Sequence, residues 1–188
     1  MTNPPSDWIV RWAHLIPTGA RVLDVACGNG RHLRWLAQQQ ADLRLTGVDR
    51  DAAAVESLKN GARVVVADIE NGPWPFDGEC FDAVIVTNYL WRPLLPTLIQ
   101  AVAPGGVLLY ETFASGNERF GRPSRPDFLL RPGELLDAVG TDLQVLGYES
   151  GRLSQPDRVV QRLAARRAAA LQADDEPAKL PEWPHRPG

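Results

Sequence analysis

Apolar segments rich in β-branched residues alternate with helical segments along most of the chain. Strands are predicted over 21–26, 43–48, 63–67, 81–86, 106–111 and 143–148, and helices over 31–40, 52–59, 92–102 and 132–139. The apolar residues of the strands form nearly continuous runs, which indicates a sheet covered by helices on both faces. Strands that alternate with helices are typical of parallel βαβ units, so the pattern predicts a Rossmann-like three-layer α/β sandwich.

A further apolar segment over 158–164 lies close behind the last of these strands, with Gly151 and Pro156 in the short connection. A connection this short can join only antiparallel neighbours. The sheet is therefore predicted to have seven strands and to be mostly parallel, with the last strand antiparallel.

The ends of the chain differ in character from this core. At 188 residues the length fits one domain, which we place at 1–167. Residues 168–188 carry three consecutive acids and four prolines, a composition that predicts a mobile tail. At the other end, 6–13 form an amphipathic helix with Trp8 and Trp12 on one face, which either covers a ligand or packs on the core.

Composition and charge narrow the class of protein. The net charge is −3, so no overall positive field favours nucleic acid, and no apolar run approaches the roughly 18 residues that span a bilayer. The N-terminus does not resemble a signal peptide, and two cysteines suit a reducing compartment, so a cytoplasmic protein is expected. His14, His32 and His185 keep no metal-ligand spacing with the cysteines, and no metal is expected.

The first predicted strand leads through an acid into a glycine turn, in the stretch RVLDVACGNGRH at 21–32. Such a turn brings backbone N–H groups close to a nucleotide-like ligand. The third glycine of a dinucleotide fingerprint is replaced by Leu33, and the charge of Asp24 would repel a pyrophosphate. The same carboxylate favours a ligand with an ammonium or sulfonium cation, and S-adenosylmethionine carries both. A nicotinamide-dependent oxidoreductase is the disfavoured alternative.

Two more acids follow the next two predicted strands. Asp49 can accept hydrogen bonds from the two hydroxyls of a ribose, and Asp68 can accept one from an adenine amino group while Ile69 packs on the ring. Each acid taken alone is more often a turn former or a helix cap than a ligand-binding residue. Three acids at one edge of a parallel sheet together predict an adenosylmethionine site.

The motifs as a set resemble those of the class I S-adenosylmethionine-dependent methyltransferases. The likeness covers most of 7–165 and is carried by VLDVACGNGRH, GVDRD at 47–51, VVADIE at 65–70, FDAVIVTNYL at 81–90 and APGGVLLYETF at 103–113. The resemblance implies a cofactor site made of Asp24, Ala26, Cys27, Gly28, Gly30, Asp49, Arg50, Ala67, Asp68, Ile69, Asn88 and Tyr89. Ala26 stands where many members have glycine, and it is expected to keep a negative φ. Residues 87–96 and 111–136 also resemble small bacterial members compared with tellurite-resistance methyltransferases.

The acceptor side is expected after the fourth and fifth strands. Glu111, Tyr89 and Arg92 are the candidate catalytic residues, with Trp91, Tyr110 and Phe113 beside them. Glu111 has base chemistry, although an ordinary hydrogen bond to the region of Asn117 or Arg122 explains it as well. The activated sulfonium mainly needs an aligned acceptor, so direct displacement onto a small molecule is predicted.

Three alternatives for the acceptor side stay open. The sequence Asn88-Tyr89-Leu90-Trp91 lacks the two prolines of enzymes that methylate bases or protein amides, which makes that activity an alternative only. A non-catalytic adenosylmethionine-binding module is another. In the long 114–132 loop, Arg119, Arg122 and Arg125 indicate an anionic acceptor, or else simply a solvated loop.

Overall fold

Seven strands form one sheet in the computed structural model of the chain, which describes residues 4–58 and 61–169. The strands are β1 (Arg21–Val25), β2 (Arg44–Asp49), β3 (Arg63–Val66), β4 (Phe81–Thr87), β5 (Val102–Phe113), β6 (Gln144–Leu153) and β7 (Arg158–Arg166). Their order is β3-β2-β1-β4-β5-β7-β6, and β1 to β5 pair in parallel. β7 is antiparallel to both β5 and β6. The predicted sheet is confirmed.

The helices are shorter than the sequence pattern predicts. They are α1 (Asp7–Trp12), α2 (Arg31–Gln39), α3 (Ala52–Val55), α4 (Leu95–Gln100) and α5 (Glu134–Val139). The helix predicted over 52–59 tightens into a 3₁₀ turn at Glu56–Leu58, and the one predicted over 92–102 begins with a 3₁₀ turn at Arg92–Leu94. β5 begins at Val102, four residues earlier than predicted, because Val102 pairs with Phe81 ahead of a register shift.

Side chains from both faces of the sheet are buried. On β4, Val84 and Val86 pack with the helices α4 and α5, while Ala83 and Ile85 pack with α1 and α2. Consecutive residues of one strand thus enter two hydrophobic layers, which explains the continuous apolar runs in the sequence. The three-layer arrangement is that of a Rossmann-like α/β sandwich.

The helix α1 packs on the sheet. Trp8 and Trp12 are almost fully buried, and the indole N–H of Trp8 donates a hydrogen bond to the carbonyl of Leu163 on β7, at 3.1 Å. Ser6 caps the helix by accepting a hydrogen bond from the Trp8 N–H. Of the two interpretations of this segment, packing on the core is therefore the correct one for the tryptophans.

Two further expectations concern what the chain lacks. Within 4–58 and 61–169, no helix has the length and apolarity required to cross a membrane. The same residues contain no group of three or more His, Cys, Asp and Glu side chains that could hold a metal ion. The predicted tail at 168–188 lies outside the described residues, apart from 168 and 169.

Candidate functional site

A first cavity lies at the carboxyl ends of β1, β2 and β3, where a parallel sheet of this kind binds ligands. It is lined by Ala26, Asp49, Arg50, Ala67, Asp68, Ile69, Glu70 and Tyr89. All of these except Glu70 belong to the cofactor site that the sequence implies. The fold therefore brings together residues that are more than 60 positions apart in the chain.

A second cavity adjoins the first, since both are lined by Ala26. Its other lining residues are Cys27, Gly28, Asn29, Arg31, His32, Thr87 and Asn88. They come from the glycine turn, from the start of α2 and from the end of β4. Arg31 and His32 do not belong to the predicted site, although their place directly behind the turn is the signal that could have found them.

The glycine turn is held to β2 by backbone and carboxylate contacts. The Gly28 N–H donates to Asp49 Oδ2 at 2.7 Å, and the Cys27 N–H donates to the carbonyl of Val48 at 3.0 Å. Asp49 Oδ1 accepts a second hydrogen bond from the Asp51 N–H at 2.9 Å. Asp49 therefore shapes the turn as well as lining the first cavity, which the sequence does not indicate.

Ala26 has a φ of +52°, so the expectation of a negative φ is wrong. The turn requires the left-handed conformation here, and an alanine in it costs roughly 1–2 kcal/mol. Asn88, on the opposite wall of the second cavity, has a φ of +55°. Strained backbone of this kind clusters at ligand sites, and both residues line the cavity.

Asp24, on β1 two residues before Ala26, has a buried carboxylate and lines neither of these cavities. Its side chain is 1% exposed, and within the described residues neither of its oxygens has a hydrogen-bond partner. The His32 ring lies beside it, with Nδ1 3.5 Å from Asp24 Oδ2. A buried carboxylate without hydrogen bonds is costly, so the site suits a ligand that supplies a donor, directly or through a water.

His32 links the second cavity to the N-terminal segment. Its Nε2 accepts a hydrogen bond from the Ser6 N–H at 3.2 Å, so the neutral ring carries its proton on Nδ1, towards Asp24. Next to it, Arg31 donates from Nη1 to the carbonyl of Pro4 at 3.4 Å. The start of α2 thus fixes residues 4–6 beside the cavity.

A third cavity adjoins the second, since both are lined by Arg31 and Asn88. Its remaining lining residues are Pro4, Pro5, Ser6, Asp7, Glu111, Phe113, Gln155, Pro156 and Arg158. The N-terminal segment and the connection between β6 and β7 form two of its walls. The sequence predicts Asn88 and Glu111 near this place, with Phe113 as a neighbouring candidate, but not the other two walls.

Comparison with known proteins gives the family. The family model of a methyltransferase domain matches residues 22–106. Trans-aconitate 2-methyltransferase of Paracidovorax citrulli (strain AAC00-1) is 35% identical over 150 residues, which cover 74% of this chain and 55% of that protein. On these findings the chain carries a methyltransferase domain of the class I S-adenosylmethionine-dependent type. It spans about half the length of the curated relatives it matches.

Solved structures of methyltransferases share the fold. Coclaurine N-methyltransferase, bound to N-methylheliamine and SAH, superposes with a TM-score of 0.66 at 12% identity, over 85% of this chain and 71% of that one. A TehB-like SAM-dependent methyltransferase from Corynebacterium glutamicum gives a TM-score of 0.61 at 19% identity, over 88% of this chain and 89% of that one. At these identities the likeness concerns the fold alone.

In this methyltransferase, the Tyr89 side chain lines the first cavity and not the third. Burial raises the pKa of the Tyr89 hydroxyl, and the nearby Glu70 carboxylate adds to the effect, so the phenol stays protonated at neutral pH. Asp68 accepts hydrogen bonds from the Asn71 side chain and from the N–H groups of Glu70 and Asn71, which lower its pKa. Tyr89 therefore lies on the same side as Asp68, away from the expected acceptor.

Cys27 lies in the glycine turn with its thiol buried. Burial raises its pKa, and the carboxylates of Asp24 and Asp49 raise it further. The side chain therefore remains a neutral thiol at neutral pH and has no nucleophilic character. In the methyltransferase it acts as part of the wall of the second cavity.

The side chain of Arg92, a candidate for the acceptor side, forms hydrogen bonds with the segment that follows β5. It donates to both carboxylate oxygens of Glu134, at 2.6 and 3.0 Å, and to the carbonyls of Asp127 and Leu129, at 2.7 and 2.8 Å. The hydrogen bonds to Glu134 and the charge of that carboxylate raise the pKa of Arg92. The guanidinium lines none of the three cavities, and we assign it to holding the loop in place.

Glu111, the candidate base, faces the third cavity from β5 and pairs with a neighbouring strand. Its Oε2 lies 2.6 Å from Arg162 Nε on β7, and both side chains are almost fully buried. The sequence predicts a partner for Glu111 in the region of Asn117 or Arg122, but the observed partner is Arg162. The Asn117 side chain instead donates to the carbonyl of Pro123 and accepts from the Val159 N–H. The charge of Glu111 is thus compensated by Arg162, which does not itself line the cavity.

Proposed function

We propose that this methyltransferase binds S-adenosylmethionine across the first two cavities and transfers its methyl group to a small-molecule acceptor in the third. The observation that carries the proposal is the sequence of three adjoining cavities, joined by Ala26 and then by Arg31 and Asn88. A cofactor that reaches from the first cavity through the second would present its sulfonium end at the border of the third.

The groups around the first two cavities match the chemistry of the cofactor. Asp49 offers carboxylate oxygens to a ribose, and Ile69 offers an apolar surface to adenine. Buried Asp24 has two oxygens free for an ammonium group, and the Arg31 guanidinium suits the methionine carboxylate. Among the described residues, Arg31 is the one arginine or lysine that lines the cavity of Gly28, and a single guanidinium beside a buried carboxylate suits a zwitterionic methionine better than a doubly charged pyrophosphate.

When bound, the cofactor supplies an activated methyl group. The acceptor atom donates an electron pair to the methyl carbon, the S–CH₃ bond breaks, and its electron pair stays on sulfur as S-adenosylhomocysteine. The residues of this chain have to align the two reactants and exclude water, and alignment can supply roughly 7–11 kcal/mol of the barrier. Residues 4–7 and the β6–β7 connection form walls that do this around the third cavity.

A direct test is calorimetric titration of the protein with S-adenosylhomocysteine and, separately, with NADH. We expect binding of the first and none of the second. Formation of S-adenosylhomocysteine over a panel of small acceptors then separates an enzyme from a binding module. Binding of NADH alone would contradict the proposal.

Replacement of Asp49 tests the cofactor site. Asp49→Ala removes the ribose acceptor and the bond that holds the Gly28 N–H, and we expect affinity for S-adenosylhomocysteine to fall about tenfold or more. Asp51→Ala is the matched control, because it removes the same charge from the cap of α3 without lining a cavity. Equal affinities of the two variants in the titration would remove the ribose assignment.

A further inference from the structure

The third cavity contains an excess of positive charge. Four charged side chains line it, namely Asp7, Arg31, Glu111 and Arg158. Glu111 is compensated by Arg162 at 2.6 Å, behind the cavity wall. The remaining charges are the two positive arginines and the one negative carboxylate of Asp7. A bound sulfonium would add another positive charge at the border of the cavity. Coulomb attraction in this cavity therefore favours an anion.

Neither arginine has an acid as its partner. Arg158 donates only to the carbonyl of Pro156, at 3.4 Å, and Arg31 only to Thr87 Oγ1 and the carbonyl of Pro4, also at 3.4 Å, among the contacts of the described residues. In contrast, Arg92 and Arg152 form short ion pairs with carboxylates elsewhere on the protein. The guanidinium groups at the third cavity are thus available to a ligand.

The positions of the two arginines divide their roles. Arg31 lines the second cavity as well as the third, so it is the arginine that binds the methionine carboxylate of the proposed cofactor. Arg158 lines only the third cavity, opposite the N-terminal segment. It is half-buried at the first position of β7, a rigid element that fixes its backbone. After the cofactor is bound, Arg158 is the cation left for the acceptor.

We infer that the acceptor is a small carboxylic acid and that Arg158 binds its carboxylate. The inference rests on the proposed function and names the substrate class of that site. A guanidinium can hold a carboxylate through two parallel hydrogen bonds, which fixes the orientation of the acceptor as well as its charge. The apolar walls contributed by Phe113, Pro5 and Pro156 suit a short carbon skeleton.

The arginines of the 114–132 loop do not provide this site. Arg119, Arg122 and Arg125 are exposed and line none of the three cavities, and Arg125 pairs with Asp127 at 2.8 Å. Of the two interpretations of that loop, solvated arginines describe the structure better. The anionic acceptor expected from the sequence is therefore assigned to a different arginine, Arg158 at the first position of β7.

The experiment measures binding of small acids to the complex of the protein with S-adenosylhomocysteine. The probes are mono-, di- and tricarboxylic acids, with trans-aconitate among them, each paired with its neutral methyl ester and followed by saturation-transfer NMR and calorimetry. The variants are Arg158→Gln and, as a matched control, Arg122→Gln from the exposed loop. Each variant is first titrated with S-adenosylhomocysteine alone.

We expect at least one acid to bind the complex about tenfold or more tightly than its ester. Arg158→Gln should lose that preference while its affinity for S-adenosylhomocysteine is unchanged, and Arg122→Gln should behave as the parent protein does. Esters that bind as tightly as acids, an unaffected Arg158→Gln variant, or a panel in which no acid binds would each overturn the inference. Failure of S-adenosylhomocysteine itself to bind would contradict the proposed function instead.

Discussion

At the scale of single residues, the glycine turn shows which features a sequence predicts and which it does not. The placement of Asp49 beside the first cavity follows from residue type and position at a strand end. The positive φ of Ala26 does not follow from the sequence. Alanine can adopt either sign of φ, at different energetic cost, and the path of the backbone between β1 and α2 decides which sign it has.

Arg31 and His32 were missed for a related reason. Their place directly behind the glycine turn is a signal, but polar side chains are also typical of an exposed helix, and their contacts with residues 4–6 do not follow from the sequence. His32 is buried, which a polar residue beside a glycine turn gives no reason to expect.

The two glycines of the turn, Gly28 and Gly30, are expected to differ in their tolerance of a side chain. Both have positive φ, at +53° and +69°. A Cβ on Gly28 would meet nothing within 4 Å, whereas one on Gly30 would clash with the side chain of buried Leu58. We expect Gly28→Ala to lower the free energy of unfolding by about 1 kcal/mol and Gly30→Ala by about 2–4 kcal/mol.

Urea unfolding of the two variants beside the parent protein checks this ranking. Gly28→Ala serves as the control for backbone strain, because it carries the same change of residue at nearly the same φ. Equal losses of stability would mean that Leu58 moves aside and that the glycine turn is less tightly packed on the 3₁₀ turn at Glu56–Leu58 than the structure indicates.

At the scale of elements, strand positions were predictable and helix ends were not. Apolar runs mark β1 to β4 to within a residue or two, since burial on both faces demands them. The helix predicted over 52–59 ends early and the one predicted over 92–102 begins late, because tight 3₁₀ turns take their place at Glu56–Leu58 and Arg92–Leu94. The β6–β7 pair was also predictable, but not that its connection forms a wall of the third cavity, which depends on the twist and length of the two strands.

The loop after β5 is fixed to the segment after β4 through Glu134. Burial opposes ionisation of Glu134, but the hydrogen bonds from Arg92 and from the Arg131 N–H outweigh it and keep its pKa below the ordinary 4.5. A depressed folded-state pKa contributes stability that is present above the unfolded pKa and is lost as the pH falls through the folded one. The loop should therefore loosen in acid, below about pH 4.5.

Replacement of Glu134 by glutamine tests this contact. Glu134→Gln should lower the free energy of unfolding at pH 7 by about 2 kcal/mol and give a shallower loss of stability below pH 4.5 than the parent protein shows. Urea unfolding across the acid range measures both effects. Asp137→Asn, an exposed position on the same helix, is the control and should change neither. A Glu134→Gln variant with the parent's acid profile would show that the carboxylate is not engaged in solution.

At the scale of the whole molecule, the order of the strands places the three cavities along one edge of the sheet. The first cavity could be predicted nearly in full, because each of its residues follows a strand end. The third could not, since residues 4–7, Glu111 and the β6–β7 connection meet there only after the sheet has formed. Cofactor recognition is thus local to the βα turns, and acceptor recognition depends on long-range assembly.

The central claim is that the three cavities hold, in order, adenosine, methionine and acceptor. A crystal structure of the protein with S-adenosylhomocysteine tests it most directly. The account predicts adenine against Ile69, the ribose hydroxyls on Asp49, and the sulfur beside Asn88 and open to the cavity that Arg158 lines. A diphosphate nucleotide seated over Gly28 in crystals offered both compounds, with no S-adenosylhomocysteine bound, would contradict it.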